Sequence, residues 1–226
     1  MKRSMLVFTL LLFTLFSCNK AYYRSASYDY FASQHRTIAI LPVESLTYGR
    51  MPMLPPEEDL RSLEEAESRA FQVALYNEVA SHVTRPYRHY AIDLQHYSQT
   101  NAKLKEAGIS IRDSWHQSPE QMATLLGVDA VVRTTVEKER YLTDLESFGI
   151  SVATTVAILF SESPWWIFLP DARTSDVRAS CAIIDGRSGK TVWAIDRCEP
   201  TYWNRSNRIV VEDISRGIAR RLPYRD

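Results

Sequence analysis

The chain has 226 residues, of which 45% are hydrophobic and 24% charged, and its 27 basic and 27 acidic side chains cancel. This is the composition of a globular protein with one core of ordinary size. No basic surplus points to nucleic acid, which excludes a binding mode built on neutralising phosphates.

Met1-Lys2-Arg3 is a short basic start, and Leu6 to Phe16 is an unbroken run of apolar residues and threonines. Leu15-Phe16-Ser17-Cys18 closes it. A basic start, an apolar stretch and a small residue before the cut describe a secretory signal peptide. Because the residue after the cut is a cysteine, Leu-x-Ser-Cys resembles the lipobox of bacterial lipoproteins. Residues 1–17 are therefore expected to be a lipoprotein signal peptide and Cys18 the lipid attachment site. The alternatives are an ordinary signal peptide or a spanning anchor, but the apolar run falls short of the roughly 20 residues a spanning helix needs. Loss of Lys2 and Arg3 leaves 25 basic against 27 acidic residues, a net charge of −2. At about 0.8 kcal/mol per buried methylene, several acyl chains make a stable anchor where one is marginal. Asn19 stands where an aspartate signals inner-membrane retention in some bacteria, so the expected location is the outer membrane, facing the periplasm.

Residues 18–36 read as a lipidated tether in which Tyr22, Tyr23, Tyr28, Tyr30 and Phe31 are scattered among small and polar residues. It is a plain linker or strand-like extension, or a tyrosine-lined contact, since a tyrosine ring suits a membrane interface while its hydroxyl stays wet. Residues 37–226 read as a single domain. Thr37 to Val43, apolar on both faces, is the first core strand, closed by Pro42. Tyr48 to Pro56 is loop. Glu57-Glu58-Asp59 opens a helix that runs to about Val83, with Leu63, Ala66, Ala70, Val73 or Ala74, Val79, Ala80 and Val83 as its apolar stripe. Tyr90 to Asp93 is a short strand, Tyr97 to Ala107 a helix stopped by Gly108. Ser118-Pro119-Glu120 caps a third helix that ends at Gly127. Val128 to Val136 is a strand rich in β-branched residues.

Val177 to Ile184 and Lys190 to Cys198 flank Asp185-Gly186-Arg187-Ser188-Gly189, a hairpin turn. Arg208 to Leu222 is a closing amphipathic helix with Ile209, Ile214, Ile218 and Leu222 on one side. The order implies an α/β fold: a mixed sheet flanked by helices, a two-layer or three-layer sandwich, ending in a hairpin and helix. Pairing about a turn centred between Arg187 and Ser188 sets Cys181 opposite Ala194 and Cys198 opposite Val177. The cysteines are then about 13 Å apart along the strands, beyond the roughly 7 Å limit for a disulfide.

An apolar insertion at about 145–170 stands apart. Phe148 to Phe160 carries no charge, and Trp165 to Leu169 is apolar at consecutive positions between Pro164 and Pro170. It reads as a buried helix or hairpin, or as a membrane-inserting strand pair. Ile150, Val152, Val156, Ile158, Trp165 and Trp166 are the candidate association surface, because an apolar patch of that size on a monomer invites self-association or membrane contact.

Three stretches, Arg36 to Val43, Leu126 to Val132 and Asp185 to Trp193, follow the lipobox in an order that resembles envelope lipoproteins built on the CsgG-like, TolB-N-terminal-like α/β domain. That family includes the curli secretion channel and activators of penicillin-binding proteins. The resemblance implies an α/β sandwich and a non-enzymatic part in envelope assembly or export, and it supplies no catalytic residues.

The residues themselves offer little chemistry. Gly186 to Thr191 has two residues between its glycines, where a phosphate-binding loop needs four and a following helix. His82, His89 and His96 recur every seven residues, but Pro86 breaks the helix that would align them. No zinc spacing is present, and the acids between Glu57 and Glu67 read as a solvated helix face. Neither catalytic residue, metal, cofactor nor small-molecule substrate is expected. The expected function is that of an outer-membrane-anchored periplasmic scaffold or accessory protein, partnered by envelope proteins or by its own copies. The alternative is a subunit of an oligomeric CsgG-like secretion channel. Cys18→Ser is expected to abolish acylation and move the protein from the membrane to the soluble fraction. Normal processing with undiminished membrane retention would contradict the anchor.

Overall fold

The computed structural model describes residues 22–49, 57–83, 92–140, 173–202 and 206–224. Along the chain these form β1 (Tyr22–Arg24), α1 (Tyr28–Ala32), β2 (Thr37–Ile40), β3 (Glu44–Gly49) and α2 (Glu57–Val83). Then follow β4 (Asp93–Gln95), α3 (Tyr97–Glu106), α4 (Ile111–His116), α5 (Pro119–Leu126) and β5 (Ala130–Arg140). β6 (Arg173–Asp185), β7 (Thr191–Tyr202) and α6 (Asn207–Ala219) complete it.

All seven strands belong to one mixed sheet in the order β1-β7-β6-β5-β2-β4, with β3 also on β5. β2 and β3 lie end to end along one side of β5, both parallel to it, in the registers Ile38↔Ala130 and Glu44↔Thr135. Leu41-Pro42-Val43 separates them, because Pro42 has no N–H to offer a ladder. The expected α/β fold, with a mixed sheet flanked by helices and a C-terminal hairpin and helix, is the one observed.

The alternation of β2 shows why helices cover both faces. Ile38 and Ile40 point into a core with Val132, Val136, Ile183 and Trp193, closed by Phe71, Leu75 and Val79 of α2 and by Val210, Ile214 and Ile218 of α6. Ala39 and Leu41 point the other way, into a smaller core with Val131 and Ile184, closed by Leu104 of α3 and Met122, Ala123 and Leu126 of α5. Three layers result. Ser118 accepts a hydrogen bond from the Gln121 N–H to start α5, Pro119 takes the first turn, and Gly127 ends the helix at φ 64°, a conformation that suits glycine.

Several details differ from the sequence reading. Part of the expected tether is folded, as β1 and α1. β3 occupies residues read as unassigned chain and loop. α4 was not expected, although Ser110 and Asp113 form a reciprocal capping box in front of it. The second strand of the sequence reading sits later, at β4, while residues 84–91 lie outside the described residues. A bulge between Ile183 and Ile184 shifts the hairpin by one, so that Cys181 faces Ile195 and Cys198 faces Arg178. Both cysteines are free, one buried and one exposed. Ile209 is exposed, and Val210 takes its place in the core.

Val131 is fully buried between Ala39 and Ile184 in the centre of the sheet. Val131→Asp should cost at least about 3 kcal/mol in urea denaturation, because the carboxylate has no partner there. An unchanged midpoint would contradict its place between the layers.

Candidate functional site

The expected site residues, Cys18, Ile150, Val152, Val156, Ile158, Trp165 and Trp166, lie outside the described residues. What the described residues assemble is a polar junction at one end of the sheet and an apolar groove at the other.

The junction joins the three motif stretches. Asp129 Oδ2 accepts from the N–H groups of Arg36, at 2.9 Å, and Thr37, at 3.0 Å. The Asp129 N–H donates to the Thr37 carbonyl, and its own carbonyl accepts from the Gly186 N–H. A Cβ on Gly186 would stand 2.4 Å from Ala123 Cβ and 2.8 Å from the Asp129 oxygen, so the turn can approach this closely only with glycine. Asp185 Oδ2 accepts from the Ser188 N–H and hydroxyl, closing the hairpin turn. Its Oδ1 lies 3.1 Å from His35 Nε2, and His35 Nδ1 lies 2.7 Å from the Tyr224 hydroxyl. A carboxylate only accepts, so a His35 tautomer protonated on Nε2 and accepting from the phenol satisfies both bonds.

Asp–His–hydroxyl is the arrangement of an activated nucleophile. Here it has no reach to a substrate. His35, Asp185 and Tyr224 are all buried, and Tyr28 packs over Tyr224. Burial pushes the Tyr224 phenol well above its ordinary value, so the hydroxyl keeps its proton. Burial likewise pushes the Cys181 thiol up to about 12 against a weaker effect of Thr134. Both groups are inert at neutral pH. The cluster pins the C-terminus to the hairpin and to the entry of β2.

The groove runs between α2 and α6 over the far ends of β5 and β6, with a volume of about 790 Å³. Leu63, Ala66, Ala70, Val73 and Ala74 of α2 line it, with Val210 and Val211 of α6, Val136 of β5 and Val177 of β6. These α2 residues belong to the apolar stripe read from the sequence, and Leu63 among them is 53% exposed. The helix has two apolar faces, and the one that meets the sheet carries Phe71, Leu75 and Val79 at spacings of four. That second periodicity was the missed signal. Charges at the rim are engaged: Arg216 pairs with Glu78 at 3.3 Å, Arg208 with Glu212 at 2.8 Å, and Glu67 accepts from Ser45. An apolar floor with a neutralised rim suits apolar side chains of a polypeptide better than a charged small molecule. Among the described residues, no group of three or more His, Cys, Asp or Glu could hold a metal ion. None of their helices is long and apolar enough to cross a membrane.

No protein-family model and no curated protein matches the chain. Among solved structures, lipoprotein GNA1162 from Neisseria meningitidis is similar over 82% of this chain and 96% of its own, at 15% identity and a TM-score of 0.44. The dodecamer of a leucine-to-methionine variant of PelC from Paraburkholderia phytofirmans is similar over 82% and 87%, at 10% identity and a TM-score of 0.41. The LpoB C-terminal domain from Escherichia coli is similar over 74% and 84%, at 10% identity and 0.35.

Burial alone would raise the Asp129 carboxyl, but the N–H groups of Arg36 and Thr37, with Arg187 and His35 nearby, outweigh it and hold it below its ordinary value. A carboxyl whose folded value is depressed contributes stability above its unfolded value, near 3.9, and loses that contribution as pH falls through the folded value. Asp129→Asn should therefore destabilise by about 1 kcal/mol at pH 6, and the deficit should narrow below about pH 4. Urea midpoints at both pH values check it. A deficit independent of pH would remove the charge from the account.

Proposed function

We propose that the chain is a lipid-anchored protein of the bacterial envelope, held at the outer membrane through Cys18 and facing the periplasm. It acts as a non-enzymatic scaffold or accessory protein that binds an envelope protein or its own copy through the groove between α2 and α6. The open apolar face of α2 carries this reading, since a helix that already has a packed core face has no structural need for a second one. Lipobox and motif order support the envelope assignment, through their resemblance to CsgG-like and TolB-like lipoprotein domains.

Connectivity favours the same end of the sheet. β5 and β6 pair as far as Arg140↔Ser175, so the apolar insertion, with Ile150, Val152, Val156, Ile158, Trp165 and Trp166, leaves and rejoins the fold beside the groove. That insertion and the groove together form the proposed association surface.

Ala70→Arg places a charge on the exposed groove face without touching the core. The thermal midpoint should stay within a few degrees of wild type. The detergent-solubilised assembly, measured by sedimentation, should weaken about 30-fold or more, as a loss of about 2 kcal/mol at an interface anchor would. The same assembly mass over the same concentration range would remove the groove from the association surface.

A further inference from the structure

We propose that the β1 edge of the sheet, with Tyr22, Tyr23 and Tyr30, lies against the phospholipid headgroups of the membrane that holds Cys18. This rests on the lipid anchor proposed above and adds an orientation to it. Asn19, Lys20 and Ala21 are the whole of the chain between the anchor and the first sheet residue. Four links span at most about 14 Å even fully extended. A headgroup layer takes roughly 5–8 Å of that, from the difference between the full bilayer and its hydrocarbon core. Tyr22 is therefore held within about 10 Å of the headgroup surface.

The fold leaves no slack beyond Tyr22. β1 is laddered to β7 through Tyr22↔Ile195, Tyr23↔Ala194 and Arg24↔Trp193, and the Ser25 N–H donates to the Val192 carbonyl. Tyr28 of α1 is buried beside Tyr224. Arg24 then bridges the two elements, stacked 4.3 Å over the Tyr28 ring and paired with Asp29. The anchor is thus joined almost directly to a rigid edge.

That edge has the side chains for the place. Tyr22, Tyr23 and Tyr30 are 61%, 54% and 66% exposed, and they make up half of the large hydrophobic side chains exposed among the described residues. Tyrosine offers an apolar ring and a polar tip, which is what the headgroup layer accommodates. Tyr30 stands edge-on to Phe31 at 5.3 Å, and Lys190 lies 6.0 Å over Phe31. With Arg24 neutralised by Asp29 and a mature charge of −2, attraction to anionic lipid is not the driving force. The fitting surface is a zwitterionic bilayer.

The test uses the full acylated protein in phosphatidylcholine vesicles. A nitroxide is placed at Tyr23→Cys, or separately at Tyr30→Cys, in a Cys198→Ser background, with Cys181 buried and Cys18 acylated. A control label goes on exposed Lys105→Cys in α3, the helix that follows β4, a strand five spacings or roughly 24 Å from β1. The edge labels should show several-fold lower access to a water-soluble nickel chelate than the control. A flexible spacer of about twelve residues after Ala21 should leave them shielded, and adding Tyr22→Ser with the remaining tyrosine changed to serine should then release them. Edge labels as exposed as the control on an acylated chain would overturn the docking alone. Release by the spacer with all the other tyrosines present would reduce the contact to tether length and overturn it too. An unmodified Cys18 by mass spectrometry would overturn both the anchor and the docking that rests on it.

Discussion

Asp129 is the residue on which the sheet depends. Its carboxylate and main chain together satisfy the start of β2, the entrance of β5 and the turn after β6, three segments far apart in sequence. A parallel pair such as β2 and β5 has no turn to set its register. A side chain that gathers the first N–H groups of β2 at the head of β5 supplies one. Slipping by one residue would exchange Ile38 and Ile40 for Ala39 and Leu41 between two cores of different size. The buried His35–Asp185–Tyr224 chain extends the same junction to the C-terminus, and every polar atom in it has a partner, which is the condition for burying such a network.

The same junction accounts for what the three motif stretches have in common. Each is weak as a pattern, and none has the spacing of a catalytic or phosphate-binding motif. In the fold they touch. Gly186 is required by a close approach to Ala123 and Asp129, and Arg36-Thr37 supplies the donors that Asp129 collects. The three stretches therefore meet in a structural knot, and a resemblance built on them speaks to architecture before it speaks to activity.

Much of the fold was legible because period and punctuation agree. α5 has serine, proline and glycine at its two ends, β2 and β5 are rich in β-branched residues, and α2 begins with acids. The rest was hidden for identifiable reasons. β3 follows Pro42 and alternates too briefly to stand out, and α4 is a short helix whose capping box was the one clue. The one-residue bulge in the hairpin is invisible to a symmetric register and moves Cys198 to the opposite side of the sheet from Cys181. On α2 the small-residue stripe was found, but the second apolar face carrying Phe71 and Leu75 was not, so nothing in the pattern told groove from core. One wall of the groove was thus present in the pattern without its place in the fold, and the insertion at about 145–170 was read from composition alone.

On the proposed reading, attachment at the β1 edge and recognition at the groove fall at different places on one sheet. β1 is held against Trp193 to Ile195 of β7, whose partners on β6 are Ile183 to Cys181. The groove meets β6 at Val177, four to six residues further along the strand, or about 13–20 Å. With the proposed anchor at Cys18, an edge tethered by three residues would not tumble freely, so the anchor would limit which surfaces face away from it. The α2–α6 face is not the β1 edge, and the chain that enters at Arg140 and returns at Arg173 does so at the groove end. The proposed short anchor on that edge would leave the apolar groove open to a partner approaching along the membrane or from the space above it. A long flexible tether would impose no such order.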